Sequence, residues 1–257
     1  MNIPQFSLPS TPSIKISLRE ATVSDALDFC DADPSMEECL TTIFLNRVQL
    51  RMSGFHDSKL WTADDRRLGL YWYWLHTTDD ATIQLKYDCG HCGKPHAIAY
   101  DMRKLAEGYR EMKGRPEREF SFKDEAVIVR PLTGADAEAL EMMRLSILPD
   151  LPRKEILKVK SRIRLTALMR ILWFSSTGMD EDRIDANEKK LLSMSMSDLR
   201  ILSDLAAEKL AEMEHGLETS VDKDDGRIFL AIRTKCEKGG ETLLRVPFRS
   251  FVNIPMV

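Results

Sequence analysis

An eight-residue pattern occurs twice in this chain: Arg19-Glu-Ala-Thr22-Val-Ser-Asp25-Ala26 returns as Arg130-Pro-Leu-Thr133-Gly-Ala-Asp136-Ala137, each time after a short apolar segment. A threonine followed three residues on by an acid is a helix start. The hydroxyl takes a free amide of the first turn, and the carboxylate answers the amide of the cap residue itself. Each copy therefore predicts strand, cap, helix. Further along, Thr62-Ala-Asp-Asp65-Arg-Arg67 has a counterpart in Ser195-Met-Ser-Asp198-Leu-Arg200. The strand pattern from Thr82 to Cys89, a glycine-containing turn and the segment Ala97 to Tyr100 are matched by Ile228 to Cys236, Gly239-Gly240 and Leu243 to Phe248. Both read as hairpins. Matches that keep one order predict a duplicated unit.

Between these landmarks the pattern is helical. Pro34 is expected to open a helix with Met36, Leu40, Ile43, Phe44, Val48 and Met52 on one face and Gly54 as its stop. Residues 153 to 174 carry Ile156, Ile163, Leu168, Ile171 and Leu172 along another amphipathic face. Pro4, Pro9 and Pro12 interrupt regular backbone, so residues 1–13 predict an extended N-terminal arm. The join between copies falls near Gly114 to Pro116, giving a first unit at 14–115 and a longer second unit at 116–257, extended mainly by helix between residues 141 and 193. The expected fold class is α+β: two related, mainly helical units, each with a short strand and a small antiparallel β-hairpin.

The chain is 43% apolar, enough for a substantial core, and its 37 basic and 41 acidic residues leave a net charge of -4. That balance supplies no long-range field of the kind that draws a protein to nucleic acid. Five cysteines is an odd number, and no apolar leader opens the chain, which predicts reduced thiols or metal ligands in a cytoplasm. The most apolar stretches, Tyr71 to Leu75 and Ile171 to Phe174, fall far short of the roughly 18 residues of a bilayer span.

Cys89 and Cys92 have the spacing with which a tight turn aims two thiolates at one tetrahedral ion, so zinc is the candidate cofactor. His96 or His91 would be the third ligand. The fourth would come from Cys236 by contact between units, from Cys30 or Cys39, or from another chain; a metal-free turn is the alternative. A thioredoxin-like role would need the motif to open a helix beside a parallel sheet, whereas here it sits in a hairpin turn. The run Tyr71-Trp-Tyr-Trp74 covers more than one face of its helix. Tyr71, Trp72 and Trp74, together with Phe6 and Leu8 of the arm, are thus candidate partner-binding anchors, set against the plainer reading that they fill their own core. Between Arg153 and Arg170 seven basic residues accompany one acid, Glu155, which suits an acidic partner, a nucleic acid, a membrane face or simply a solvated surface. The five histidines form no nucleophile-base arrangement, and no phosphate loop or Gly-x-Ser-x-Gly elbow is present, so no enzyme is expected.

The order of Leu8-Pro9-Ser10, the unit around Arg19 and Thr22, the helix start from Leu60 to Arg67 and Cys89-Gly-His-Cys92-Gly resembles the baseplate-hub morphogenetic proteins of T-even-like phages. The resemblance spans roughly residues 6 to 107. Separately, Val127 to Leu140 looks like the opening of tail assembly chaperones from other phages. What the resemblance implies is a protein that builds a contractile tail by holding other tail or baseplate proteins, with self-association a further option. Membrane and nucleic acid are not among the expected partners. It would act in the host cytoplasm during assembly or stay in the tail baseplate. The rival reading, from Cys89, Cys92 and the basic stretch, is a zinc-knuckle nucleic-acid-binding regulator.

Overall fold

The computed structural model describes residues 3–29, 33, 35–50, 54–148, 150–177, 183–221 and 228–246, and has an α+β fold with small antiparallel sheets. The first half opens with the hairpin β1 (Phe6–Leu8) and β2 (Thr11–Ile16), followed by α1 (Val23–Leu27) and α2 (Glu37–Val48). Thr22 and Asp25 form the capping box expected of them. The Asp25 carboxylate also receives Arg19 at 2.6 Å and Arg47 at 2.8 Å. The end of α2 returns to the strand, with Arg19 N donating to Val48 O at 2.8 Å and Gln49 pairing opposite Leu18. Next come α3 (Ala63–Thr77), capped by Thr62, and the hairpin β3 (Thr82–Asp88) and β4 (Pro95–Asp101).

The second half repeats this wiring. The hairpin β5 (Arg118–Phe122) and β6 (Glu125–Val129) leads into α4 (Gly134–Leu145), capped by the box of Thr133 and Asp136. α5 (Arg153–Ile171) ends in β7 (Leu172–Phe174), which pairs with β6. Arg130 N donates to Ile171 O at 3.0 Å, and Asp136 receives Arg130 at 2.8 Å and Arg170 at 3.2 Å. α6 (Arg183–Ser193) is additional to the first half's plan, and α7 (Met196–Ala211) starts at Ser195, whose side chain accepts from Asp198 N. The chain closes its described part with β8 (Thr219–Val221), β9 (Ile228–Lys235) and β10 (Glu241–Val246).

The apolar cores do not divide where the sequence suggests a join. One core is built around α3 and takes in Leu230, Ile232, Leu244 and Val246 of the last hairpin; the other gathers β5, β6 and β7 with Met169, Leu202 and Ala206. The reason lies in α3, where Leu68, Leu70, Tyr71, Tyr73 and Trp74 are buried around most of the helix. One hairpin cannot cover so wide an apolar surface, whereas α7 buries only Leu202 and Ala206. Both halves' hairpins therefore come together on the α3 core.

The halves are also joined by charge. α2 has no side-chain cap at Met36, and Glu141 of α4 supplies the missing acceptor, taking Glu38 N at 2.8 Å and Cys39 N at 3.0 Å. Beneath it Glu38 is paired with the buried Arg66 and Arg67.

Several expectations need correction. Residues 3–13 of the expected arm do not extend away: Ile3, Phe6 and Leu8 are buried, and Ser10 donates its amide at 2.9 Å and its hydroxyl to Asp65. The prolines are accommodated because Pro4 precedes β1, Pro9 lies in the two-residue turn and Pro12 falls in the register shift between the Thr11 and Lys15 pairings, while the strands' apolar side chains have the α3 core to bury against. Phe6, Leu8, Tyr71 and Trp74 are thus core residues rather than free partner anchors. Trp72 is half-buried; its Nε1 donates to Pro4 O at 2.7 Å and its ring lies 5.9 Å from Phe6. α2 begins at Glu37 and stops at Val48, short of Gly54, because Leu50 N is drawn to Ser17 O at 2.9 Å. Pro34, Met52 and Phe248 lie outside the described residues.

Candidate metal centre

The hairpins β3–β4 and β9–β10 close by the same pair of bonds at different lengths. In the first, Cys89 N donates to Lys94 O at 3.0 Å and Gly93 N to Cys89 O at 2.8 Å; in the second, Cys236 N donates to Gly240 O at 3.0 Å and Gly239 N to Cys236 O at 2.8 Å. Gly93 and Gly239 occupy equivalent left-handed positions, with φ of 73° and 76°, which only glycine adopts without strain. Three residues separate Cys89 from Gly93, and two separate Cys236 from Gly239. The residue before that glycine is Cys92 in the longer turn and Lys238 in the shorter one.

The two turns meet. The sulfurs of Cys89, Cys92 and Cys236 all lie within 4.8 Å of one another and can hold a metal ion. Cys89 and Cys236 are buried and Cys92 is half-buried. His91 lies against the second turn, its Nε2 3.0 Å from Glu241 O, so close that a Cβ at Gly240 would collide with its ring. Thr242 Oγ1 stands 3.8 Å from Cys89 Sγ, and His96 Nε2 stands 2.9 Å from Cys92 Sγ. The His96 ring stacks on its cross-strand neighbour Tyr87, with centroids 5.3 Å apart.

The electrostatics suit thiolate ligands. The Cys92 amide, aided by that of His91, points at Cys89 Sγ and brings its thiol down to about 6 against the effect of burial. At Cys92 the Lys94 amide acts in the same sense, but burial and the neighbouring Cys89 sulfur outweigh it and the thiol is raised. The first proton thus leaves easily, and a divalent cation would favour loss of the others.

Of the ligands expected from sequence, Cys89 and Cys92 stand at the centre and His96 at its edge, while Cys236 joins from the other half. Cys39 is on α2 beside Glu141, where burial and that carboxylate push its thiol up to about 11, and it is not one of the three. Cys30 lies outside the described residues. A signal for Cys236 was present in the sequence: Cys236-x-x-Gly-Gly echoes Cys89-x-x-Cys-Gly.

On α5, Lys158, Arg162 and Arg170 are ion-paired with Glu155, Glu188 and Asp136. Among the described residues no helix is long and apolar enough to cross a membrane. Comparison with protein-family models, curated proteins and solved structures finds no match to this chain.

Proposed function

We propose that this chain is an assembly protein of a contractile phage tail, acting at the baseplate or its hub by holding other proteins rather than by turnover, with Cys89, Cys92 and Cys236 gripping one structural zinc ion. The observation that carries the assembly reading is the fate of the motifs behind the resemblance. Ser10 of Leu8-Pro9-Ser10 is tied to Asp65, Arg19 to Asp25, and Arg66 and Arg67 to Glu38. These polar motif residues fasten the chain to itself, which is what a protein needs whose product is a shape. Apolar side chains left on the surface, among them Val23, Leu60 and Met196, supply contact area for partners.

Zinc is supported by the donor set. Soft thiolates on tight turns are its structural ligands, and one ion would tie together the tips of two hairpins whose bodies already pack on the α3 core. The paired basic groups of α5 give the nucleic-acid alternative little support. The test is capture of the tagged, full-length chain from phage-infected cells followed by mass spectrometry. Tail or baseplate proteins in the eluate are expected; nucleic acid without them would overturn the assembly reading.

A further inference from the structure

Three thiolates leave a tetrahedral zinc one ligand short, and we propose that His96 Nε2 is the fourth, making a three-sulfur, one-nitrogen centre. This inference rests on the zinc reading above. Closed structural sites take four protein ligands. The second hairpin has no cysteine besides Cys236, and Lys238 stands before its turn glycine where Cys92 stands in the first, so a fourth thiolate does not come from it.

Thr242, His91 and His96 all stand near the two turns. Thr242 offers a neutral hydroxyl 3.8 Å from Cys89 Sγ, a weak ligand beside imidazole. His91 has its Nε2 on Glu241 O and its ring wedged against Gly240, so reaching the metal would require it to leave both. His96 directs Nε2 at Cys92 Sγ from 2.9 Å. Its spacing, four residues beyond Cys92 at the second position of β4, carries the ring back over the turn, and the stack on Tyr87 fixes its plane.

The adjustment falls mainly on His96, whose Nε2 touches Cys92 Sγ but is not among the ligand atoms that lie within 4.8 Å of one another. With Zn–S near 2.3 Å and Zn–N near 2.0 Å, tetrahedral geometry places sulfurs about 3.8 Å apart and sulfur and nitrogen about 3.5 Å apart. The thiols, now within 4.8 Å of one another, would draw in, the 2.9 Å contact of His96 with Cys92 would lengthen by about 0.6 Å, and the ring would turn towards the other two sulfurs. Coordination replaces that hydrogen bond with a bond to the metal. The thiols that are still protonated release their protons to water, and neutral His96 binds through the Nε2 lone pair while keeping its proton on Nδ1.

The full-length chain loaded with cadmium-113 and carrying nitrogen-15 histidine tests this, because a ligand nitrogen shows scalar coupling to the metal and a hydrogen-bonded neighbour does not. Coupling to the His96 ring is expected, together with three sulfurs and one nitrogen by X-ray absorption of the zinc form. In His96→Gln the nitrogen should be replaced by oxygen and zinc affinity should fall at least tenfold. A bound metal with no coupled nitrogen, or an unchanged absorption spectrum in His96→Gln, would overturn the inference and leave the zinc reading standing. A chain that binds neither metal overturns both.

Discussion

The Arg–Asp–Arg clusters of the two halves share their connections and differ in exposure, whereas the two hairpin turns share their closure and differ in length. In the first half the side chains of Arg19 and Arg47 are 32% and 49% exposed around Asp25; in the second, Arg130 and Arg170 are 16% and 21% exposed around Asp136. The clusters repeat because every bond in them is made within one half, by residues whose spacing is set by one strand and two helices. The hairpins face a different demand. Both lie on α3, and their tips touch, so two full-length turns would have to share one small space. A shorter second turn leaves that space to His91. Self-contained chemistry is reproduced from half to half, and chemistry at the meeting point is not.

The largest way to break this comparison is to remove the metal. A chelator should lower the unfolding free energy by about 4 kcal/mol relative to protein in free zinc about a thousandfold above its Kd, measured by denaturant titration. Loss of the β9–β10 hairpin's amide protection should accompany it. Equal midpoints with and without chelator would show that the hairpins are held by packing alone.

Next in size is the buried charge. Asp136→Asn keeps the cap acceptor and leaves Arg130 and Arg170 without a counter-charge, at a cost of about 3 kcal/mol. Asp25→Asn should cost about half that, because its arginines are better solvated. The opposite ranking would mean that exposure does not set the strength of these clusters. Acid acts on the same pair. Arg19 and the Thr22 cap hold the Asp25 carboxyl below its ordinary range, and at Asp136 burial works upward but Arg130 and the Thr133 cap prevail. Both groups therefore stabilise the fold fully above the unfolded carboxyl value of about 4, and that contribution is lost as pH falls below it towards the folded values. Wild type should lose stability on acidification through this window, and Asp136→Asn should lose less.

The smallest effect belongs to the caps. Thr22→Ala and Thr133→Ala each remove a bond to the amide of the third helical residue and should cost about 1 kcal/mol, read as a shift of the unfolding midpoint. Thr133 should matter more, because α4 also carries Glu141 to the start of α2.

Local signals were legible in the sequence and long-range ones were not. The boxes at Thr22 and Thr133, the cap at Ser195 and both hairpins followed from short spacings. The roles of Arg47 and Arg170 did not, because each reaches its aspartate from the far end of a helix. Prolines made residues 1–13 read as an arm, since the pull of the α3 surface on Phe6 and Leu8 is a tertiary effect with no local mark. The metal centre was half legible: Cys89 and Cys92 announce themselves by spacing, whereas Cys236 was one option among several until the fold placed both hairpins on one helix.

That placement is the central claim, and zinc content tests it most directly. Full-length wild type and Cys236→Ser, both purified without chelator, should be compared by elemental analysis, with circular dichroism confirming that each is folded. The account predicts one zinc per wild-type chain and its loss on Cys236→Ser although Cys89 and Cys92 remain intact. Equal zinc in the two proteins, or a metal-free wild type, would contradict it.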